Sequence, residues 1–245
     1  MSEVTARQLA IHTRLKLGLQ STEHFDVDRA TRSLGITVFK RPLESSVSGA
    51  TLKTDRVKLV LVNTGKSLGH QHFTIAHELY HCLHDEHLVS TACKVESFEH
   101  SSDTEKMAEW FAVHLLVPED AIFNQLRLRS QLGTALNIAD VVHLEQFFGV
   151  SRRAMCWRLQ DLQLMTREQA DRWCVNVVKS ARALGRDTVL YKPTYERALL
   201  SDYAEKAGEA LERDLITQAR YEELLADADL LEEVIGSEEE VDNVD

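Results

Sequence analysis

The residues best suited to chemistry form one short motif, His77-Glu78-Leu79-Tyr80-His81. On a helix, residues four positions apart share one face, so both imidazoles can reach a single metal ion. Glu78 follows His77 by one residue and points to another part of the turn, where its carboxylate can meet a metal-bound water without binding the metal. Two neutral nitrogen ligands for Zn²⁺ and one carboxylate base for its water would support hydrolysis.

The setting of this HExxH motif favours a functional site over a chance match. Chance predicts roughly 0.05 such matches in a chain with this many His and Glu residues. A chance match on an exposed helix would also have charged neighbours. Here the neighbours are uncharged or apolar, and they are Phe73, Ile75, Ala76, Leu79, Cys82 and Leu83.

A catalytic zinc ion usually takes three protein ligands and keeps one position open. His87 has a suitable spacing from His77, but the chain between them lacks the glycine that would turn it, and His84 shares one continuous helix with the motif. Glu105 lies in a second predicted helix and can close the site from the opposite side, so we favour it as the third ligand. Glu109, one turn later, is the alternative ligand or a hydrogen-bond partner of a ligand imidazole.

Two stretches around these residues resemble the ImmA/IrrE family of metallopeptidases. The sequence FTIAHELYH at 73–81 resembles the family pattern FTxAHExxH, and EKMAEWFAVHLLVP at 105–118 resembles ExxA(N/D)xFAxxLLxP. The resemblance is specific over residues 25–118 and weaker beyond them. Two positions depart from the pattern, since Tyr80 replaces a common Gly and Glu109 stands where Asn or Asp is usual.

The resemblance implies a small gluzincin-like fold with zinc bound by His77, His81 and Glu105 and with Glu78 as the general base. The implied reaction is peptide-bond hydrolysis, in which zinc polarises the scissile carbonyl and Glu78 passes a proton from water to the leaving amine. The residue that would stabilise the oxyanion is open among four candidates, which are Tyr80, His84, His100 and His114.

Cys93 lies in the polar segment between the two ligand-bearing helices. A thiolate binds zinc well, so Cys93 could fill the open position and hold the enzyme latent, as an inhibitory zinc ligand. The alternative is a simple loop cysteine. The four cysteines, which also include Cys82, Cys156 and Cys174, have no CxxC spacing, and no signal peptide is visible. These features predict reduced thiols in a cytoplasmic protein.

Residues 144–159 resemble a helix-turn-helix, with a glycine at the turn and a serine that can cap the second helix. Arg152 and Arg153 are candidates for nucleic-acid contact, and Arg158 could also meet a phosphate. Against this, Glu145 and Arg158 occupy positions that usually hold small or apolar residues. The segment is therefore either a packing module or a contact for nucleic acid or a regulator.

The charge of the chain is concentrated at its C-terminal end. Among 245 residues there are 28 Lys and Arg against 39 Asp and Glu, a net charge of −11. Residues 221–245 hold eleven of the acidic residues and no Lys or Arg, so residues 1–220 are balanced at 28 of each. Bulk charge gives no support for constitutive nucleic-acid binding, although it leaves room for a local basic patch.

The hydrophobic pattern predicts a helix, then strands, then helices, an order that indicates the α+β class. Polar stretches at 44–50 and 88–102 are interpreted as irregular. The proline at 118 ends the second ligand-bearing helix. The predicted helices include 4–18, 71–85 and 103–116, and the predicted strands are 36–39 and 57–62.

We divide the chain into three parts. Residues 1–130 are predicted to form a small gluzincin-like metallopeptidase core with a short β-sheet. Residues 131–190 form a helix-turn-helix-like helical segment, and residues 191–245 a helical C-terminal subdomain with an acidic tail, so that a mainly helical half follows the core. No apolar run approaches the roughly 20 residues of a membrane helix, so no membrane association is expected.

These observations predict a cytoplasmic zinc endopeptidase with a narrow, regulatory substrate range. The resemblance implies that the substrate is a helix-turn-helix repressor, that cleavage derepresses a prophage, mobile-element, stress or phage-defence operon, and that single-stranded DNA is a candidate activator. The alternative function is a DNA- or protein-binding transcriptional regulator with a non-catalytic zinc site, which the intact Glu78 argues against. A third hypothesis is an antitoxin or scaffold that acts by binding alone.

Overall fold

The fold is a mixed α+β arrangement of one sheet and surrounding helices, which confirms the predicted class. The computed structural model describes residues 2–55, 57–85, 90–93, 102–129, 133 and 135–228, with 90–93 described by their backbone. The helices are α1 (Glu3–Lys16), α2 (Val27–Ser33), α3 (Leu68–His84), α4 (Asp103–Leu116), α5 (Glu119–Leu128), α6 (Ile138–Phe148), α7 (Arg152–Asp161), α8 (Arg167–Trp173), α9 (Val177–Ala183), α10 (Tyr203–Glu212) and α11 (Gln218–Asp227). The strands are β1 (Thr37–Arg41), β2 (Gly49–Lys53), β3 (Lys58–Asn63), β4 (Ser90–Cys93) and β5 (Ala198–Leu200).

The sheet has the strand order β4-β2-β3-β1-β5. Strands β1 and β3 run parallel, with Val38 beside Val60, and the other neighbouring strands are antiparallel. Successive residues of a strand point to opposite faces, so alternate side chains such as Val38, Val60 and Val62 are fully buried. Helix α3 packs on β2 and β3, and the sheet thereby forms the floor beneath the HExxH motif.

Two short strands lie where the sequence predicts irregular structure. The prediction for 44–50 is wrong at its end, because Gly49 begins β2, and the prediction for 88–102 is wrong for Ser90–Cys93, which forms β4. Neither strand has a run of β-branched residues, so pairing with neighbouring strands decides their conformation. Gly49 is required by close packing, since a Cβ there would lie 2.5 Å from Cγ2 of Thr74 on α3.

The predicted helices 71–85 and 103–116 are confirmed as α3 and α4. Every side chain of α3 from residue 73 to residue 82 is buried, because the helix lies between the sheet and α4. A helix that is apolar on all sides is stable in such a place, which explains the uncharged neighbours of the motif. The rings of Tyr80 and Phe111 join the two helices, with 5.7 Å between their centroids.

Helix α1 is joined to the end of α4 through Arg14. The buried Arg14 guanidinium donates from Nη1 to the Leu115 carbonyl oxygen at 2.7 Å and from Nη2 to the Gln20 carbonyl oxygen at 2.7 Å. The last four carbonyls of a helix have no partner within it, so Arg14 supplies both a donor and a positive charge where α4 needs them. Burial lowers the pKa of Arg14 to about 10.

Residues 144–159 form two helices joined by a tight turn, α6 and α7. Gly149 adopts the left-handed conformation, with φ of 66°, that ends α6. The Ser151 hydroxyl oxygen accepts a hydrogen bond from the Ala154 backbone N–H at 3.2 Å and caps α7. The backbone geometry expected of a helix-turn-helix is therefore present.

Arg152 is an internal residue, which corrects its predicted role as a nucleic-acid contact. Its side chain is 2% exposed and donates to both oxygens of the buried Glu145 carboxylate and to the Trp173 carbonyl oxygen. The Tyr191 hydroxyl donates to the same carboxylate. Arg153, the next residue, is exposed. Glu145, which is unusual for a helix-turn-helix, is explained by this buried ion pair.

Arg158, which was also expected to meet a phosphate, is buried as well. Its Nε donates to the Val117 carbonyl oxygen at 3.3 Å, its Nη1 pairs with Asp161, and its Nη2 lies 3.4 Å from Nδ1 of His114. These contacts join α7 to the end of α4. The two residues that depart from the helix-turn-helix pattern thus both serve internal packing.

The C-terminal part of the described chain returns to the sheet and then forms two helices. Strand β5 pairs antiparallel with β1, and α10 and α11 bury Ala207 and Leu225. Residues 229–245 of the acidic tail lie outside the described residues. Across the ranges that the structure describes, no helix has the length and apolar character needed to span a membrane.

The start of α3 lies directly against the start of α7, and glycine is needed there. A Cβ at Gly69 would lie 2.6 Å from the backbone nitrogen of Ser151 and 2.8 Å from the carbonyl carbon of Val150. Both are backbone atoms, so no flexible side chain can move aside.

Gly69→Ala is therefore expected to lower the free energy of unfolding by about 1–3 kcal/mol, measured by urea denaturation. Gly208 in α10 is the matched control, because a Cβ there meets nothing within 4 Å. Gly208→Ala should raise stability by up to ~1 kcal/mol, since alanine favours the helix. Equal effects of the two substitutions would contradict the close approach.

Arg152→Gln is expected to lower the free energy of unfolding by about 3–5 kcal/mol, because it leaves the Glu145 carboxylate buried without its cation. The same measurement on the exposed neighbour, Arg153→Gln, should show a change within about 0.5 kcal/mol. A change in the free energy of unfolding at Arg152 as small as that at Arg153 would mean that the burial of the Glu145 carboxylate does not depend on this ion pair.

Candidate active site

Three side chains from two helices meet at one point. Nε2 of His77 lies 3.1 Å from Oε2 of Glu105, Nε2 of His81 lies 3.5 Å from its Oε1, and the two Nε2 atoms are 3.4 Å apart. One ligand atom from each of these three residues lies within 4.8 Å of the others. The cluster could hold one metal ion, and its donor set of two imidazole nitrogens and one carboxylate fits Zn²⁺.

The position of each of these residues on its helix explains its place in the cluster. His77 and His81 lie one turn apart near the end of α3, so their imidazoles share a face. Glu105 lies in the first turn of α4, where its backbone N–H donates to the Ser102 hydroxyl at 3.3 Å. A carboxylate is favourable there, because the start of a helix carries partial positive charge.

The cluster is electrostatically coupled. Hydrogen bonds from His77 and His81 hold the pKa of the Glu105 carboxyl far below its usual range. Burial alone would lower the pKa of His81, but its hydrogen bond to Glu105 and the negative charge of Glu78 outweigh burial and raise it. The carboxylates therefore create a negative potential around the two imidazoles, which favours a cation.

Asp85 is a residue of this site that the sequence analysis missed. Its Oδ2 lies 3.3 Å from Nδ1 of His81, on the side of the ring away from the cluster. A carboxylate at this nitrogen fixes the orientation of the imidazole and leaves Nε2 for a metal. The sequence spacing could have indicated this contact, because Asp85 follows His81 by four residues and side chains at that spacing on a helix can interact.

The Glu78 carboxylate is fully buried and has two unlike oxygens. Oε2 accepts a hydrogen bond from the Thr51 hydroxyl on β2 at 2.7 Å. Oε1 has no hydrogen-bond partner among the described residues. Nothing in the sequence around Thr51 indicated this contact, because it depends on β2 lying beside α3.

Glu109 lies one turn after Glu105 in α4 and is buried, but it is not part of the three-residue cluster. Burial and then the charge of Glu105 raise the pKa of Glu109 to about 7. A group with this pKa can donate as well as accept a hydrogen bond near neutral pH. Its role beside a ligand stays a prediction.

The remaining candidates lie in different surroundings. Tyr80 and His84 pack against Phe111, with ring centroids 5.7 and 5.3 Å away. His114 is engaged elsewhere, with its Nε2 3.2 Å from Oε1 of Glu3. His87, His100 and the side chain of Cys93 lie outside the described residues, although the backbone of Cys93 ends β4 opposite Gly49.

Comparison with known proteins agrees with this geometry. The sequence model of the IrrE N-terminal-like domain, peptidase family M78, matches residues 31–160, more than half of the chain. The matched range includes the HExxH motif and Glu105. Among curated proteins, none matches the chain. The resemblance to the ImmA/IrrE family is confirmed, and the chain belongs to the M78 family of metallopeptidases.

Proposed function

We propose that this protein is a zinc-dependent endopeptidase that cleaves a specific regulatory protein in the cytoplasm. The observation that carries the proposal is the meeting of His77, His81 and Glu105 next to the buried carboxylate of Glu78. A site that held only a structural metal would have no use for the fourth side chain. Membership of a metallopeptidase family supports the same conclusion.

His77, His81 and Glu105 are the proposed zinc ligands. Bound zinc would polarise the scissile carbonyl and lower the pKa of water to about 7. Three protein ligands leave a position open for substrate, as catalytic zinc sites require. Asp85 would keep the His81 ring oriented.

Glu78 is the proposed general base. The Thr51 hydroxyl engages Oε2, so Oε1 is the oxygen left to take a proton from water and deliver it to the leaving nitrogen. Gly49 leaves space beside this oxygen, since a Cβ there would lie 3.1 Å from Oε1. Strand β2 therefore both positions the base and keeps its working oxygen uncrowded.

The proposed substrate is a helix-turn-helix repressor whose cleavage derepresses an operon, with single-stranded DNA as a candidate activator. The family supports this choice, because the resemblance to ImmA/IrrE proteins implies a regulatory substrate. The alternative of a DNA-binding regulator with a non-catalytic zinc site is less well supported. One of its two proposed contacts, Arg152, is buried in an ion pair with Glu145.

Glu78→Gln is expected to lower the cleavage rate at least ~100-fold, because the amide cannot accept the proton from water. The assay incubates zinc-loaded protein with the repressor-like protein encoded beside this gene, with and without single-stranded DNA, and follows fragments by mass spectrometry. Zinc content should equal that of the wild type, since Glu78 is not a proposed ligand. Cleavage that survives the substitution would overturn the assignment of the base, and an intact repressor with zinc-loaded wild type would contradict the proposed substrate.

Glu105→Ala is expected to abolish the stoichiometric binding of zinc, measured by elemental analysis after dialysis. Loss of zinc should also remove the stabilisation by bound metal, which is about 4 kcal/mol at a free concentration 1,000 times Kd. Glu109→Ala is the matched control, because it removes the other buried carboxylate of α4 and should retain zinc. Retention of zinc by Glu105→Ala together with its loss in Glu109→Ala would make Glu109 the third ligand.

A further inference from the structure

A cavity lies on the helical side of the molecule, away from the HExxH motif. Its volume is about 720 Å³, within the range of small-molecule sites. The starts of α3, α7 and α9 and the 3-10 turn at Val189–Tyr191 surround it. Its lining residues include four cations and no carboxylate. Those that are charged or carry a hydroxyl or amide group are Ser67, Ser151, Arg152, Arg153, Asn176, Lys179, Arg182 and Tyr191.

Three of the cations are available to a ligand. Arg153, Lys179 and Arg182 are exposed, and no carboxylate of the described residues lies within 4.0 Å of their charged groups. These three cations are unpaired among the described residues, in a part of the chain (residues 1–220) that holds equal numbers of acidic and basic side chains. A concave site lined by one sign of charge focuses its potential and concentrates counter-ions.

The inner wall of the cavity is fixed in place. Arg152 is held by the Glu145 carboxylate and by the Trp173 carbonyl oxygen, so its own charge is paired and its side chain forms a fixed part of the wall. Ser67 and Ser151 begin α3 and α7, whose positive ends abut at Gly69. Two abutting positive helix ends repel one another, and an anion nearby would relieve that repulsion.

One part of the lining is apolar or aromatic. Val177, Val178, Leu190 and Tyr191 contribute this part of the wall. A small inorganic anion would leave such a surface bare, whereas a ligand that joins an anionic group to a flat apolar body would cover it.

We propose that this cavity binds a phosphate-bearing ligand of mononucleotide size, with the phosphate at Arg153, Lys179 and Arg182 and the base against the apolar wall. The proposal concerns a site separate from His77 and His81 and does not rest on the proposed peptidase activity. The same chemistry could come from a free nucleotide or from the end of a single-stranded oligonucleotide.

The test is isothermal titration of the full chain with AMP, with ATP and with a six-nucleotide single strand. At least one probe should bind, and the triple substitution of Arg153, Lys179 and Arg182 by Gln should weaken its binding at least tenfold. Binding of all probes points to a free nucleotide, and binding of the oligonucleotide alone points to a strand end. No binding by any probe overturns the proposal.

A charge-matched control separates the cavity from general electrostatics. Lys16, Arg29 and Arg32 are exposed and lie outside the cavity lining, so their replacement by Gln removes the same charge elsewhere. This variant should bind within about twofold of the wild type. Equal weakening in both triple variants would mean non-specific attraction and would overturn the site.

Cys174 provides a second readout from within the cavity. A hydrogen bond from Cys156 and the charges of Arg152 and Arg153 lower the pKa of the Cys174 thiol below its usual value, so it should react with iodoacetamide. Saturating ligand should slow its alkylation severalfold, measured by peptide mass spectrometry. Cys82 is the internal control, because burial raises the pKa of its thiol to about 11. Binding without protection of Cys174 would place the ligand elsewhere.

Discussion

The packing of α3 against α4 is the contact on which the rest of the candidate site depends. Two histidines of one helix cannot enclose a metal alone, and the third donor lies 28 residues from His77 in sequence. It reaches them only because the two helices lie side by side, with Tyr80 and Phe111 in contact between them. The buried Arg14 then joins α1 to the far end of α4 through the Leu115 carbonyl. The core therefore fixes the separation of donors that belong to different helices.

This arrangement also explains how a carboxylate can be buried beside the cluster. An unpaired charge in a protein interior is costly, so a buried carboxylate needs compensating donors or cations. Glu78 has one donor, the Thr51 hydroxyl, and its second oxygen is left for chemistry. The same interior tolerates Glu145 for a different reason, since Arg152 and Tyr191 satisfy it fully. The Glu145 carboxylate therefore has all its hydrogen-bond partners, whereas the Glu78 carboxylate, which lies beside the donor cluster, has one oxygen without a partner among the described residues.

The local parts of this site could be predicted from the sequence. The HExxH helix and the helix around Glu105 follow from periodicity and spacing, which are properties of a few neighbouring residues. Thr51 could not be predicted, because its partner lies 27 residues away and the strand that carries it takes its shape from pairing with β3. The roles of Arg152 and Arg158 were misjudged for a related reason. An arginine in the second helix of a helix-turn-helix pattern suggests a phosphate contact, and only the tertiary structure shows the buried partners of Arg152 and Arg158.

Helix α3 connects the donor cluster to the basic cavity. Its 17 residues span about 25 Å at ~1.5 Å per residue, with the start of the helix at the basic cavity and its histidines near the other end. Ser67 and His77 are thus about 15 Å apart along one rigid axis. A tilt of about 4° around the ligand-bearing turns displaces the first turn by about 1 Å. The donor cluster and the cavity therefore lie near opposite ends of one helix, so a tilt of that helix as a rigid body would displace both.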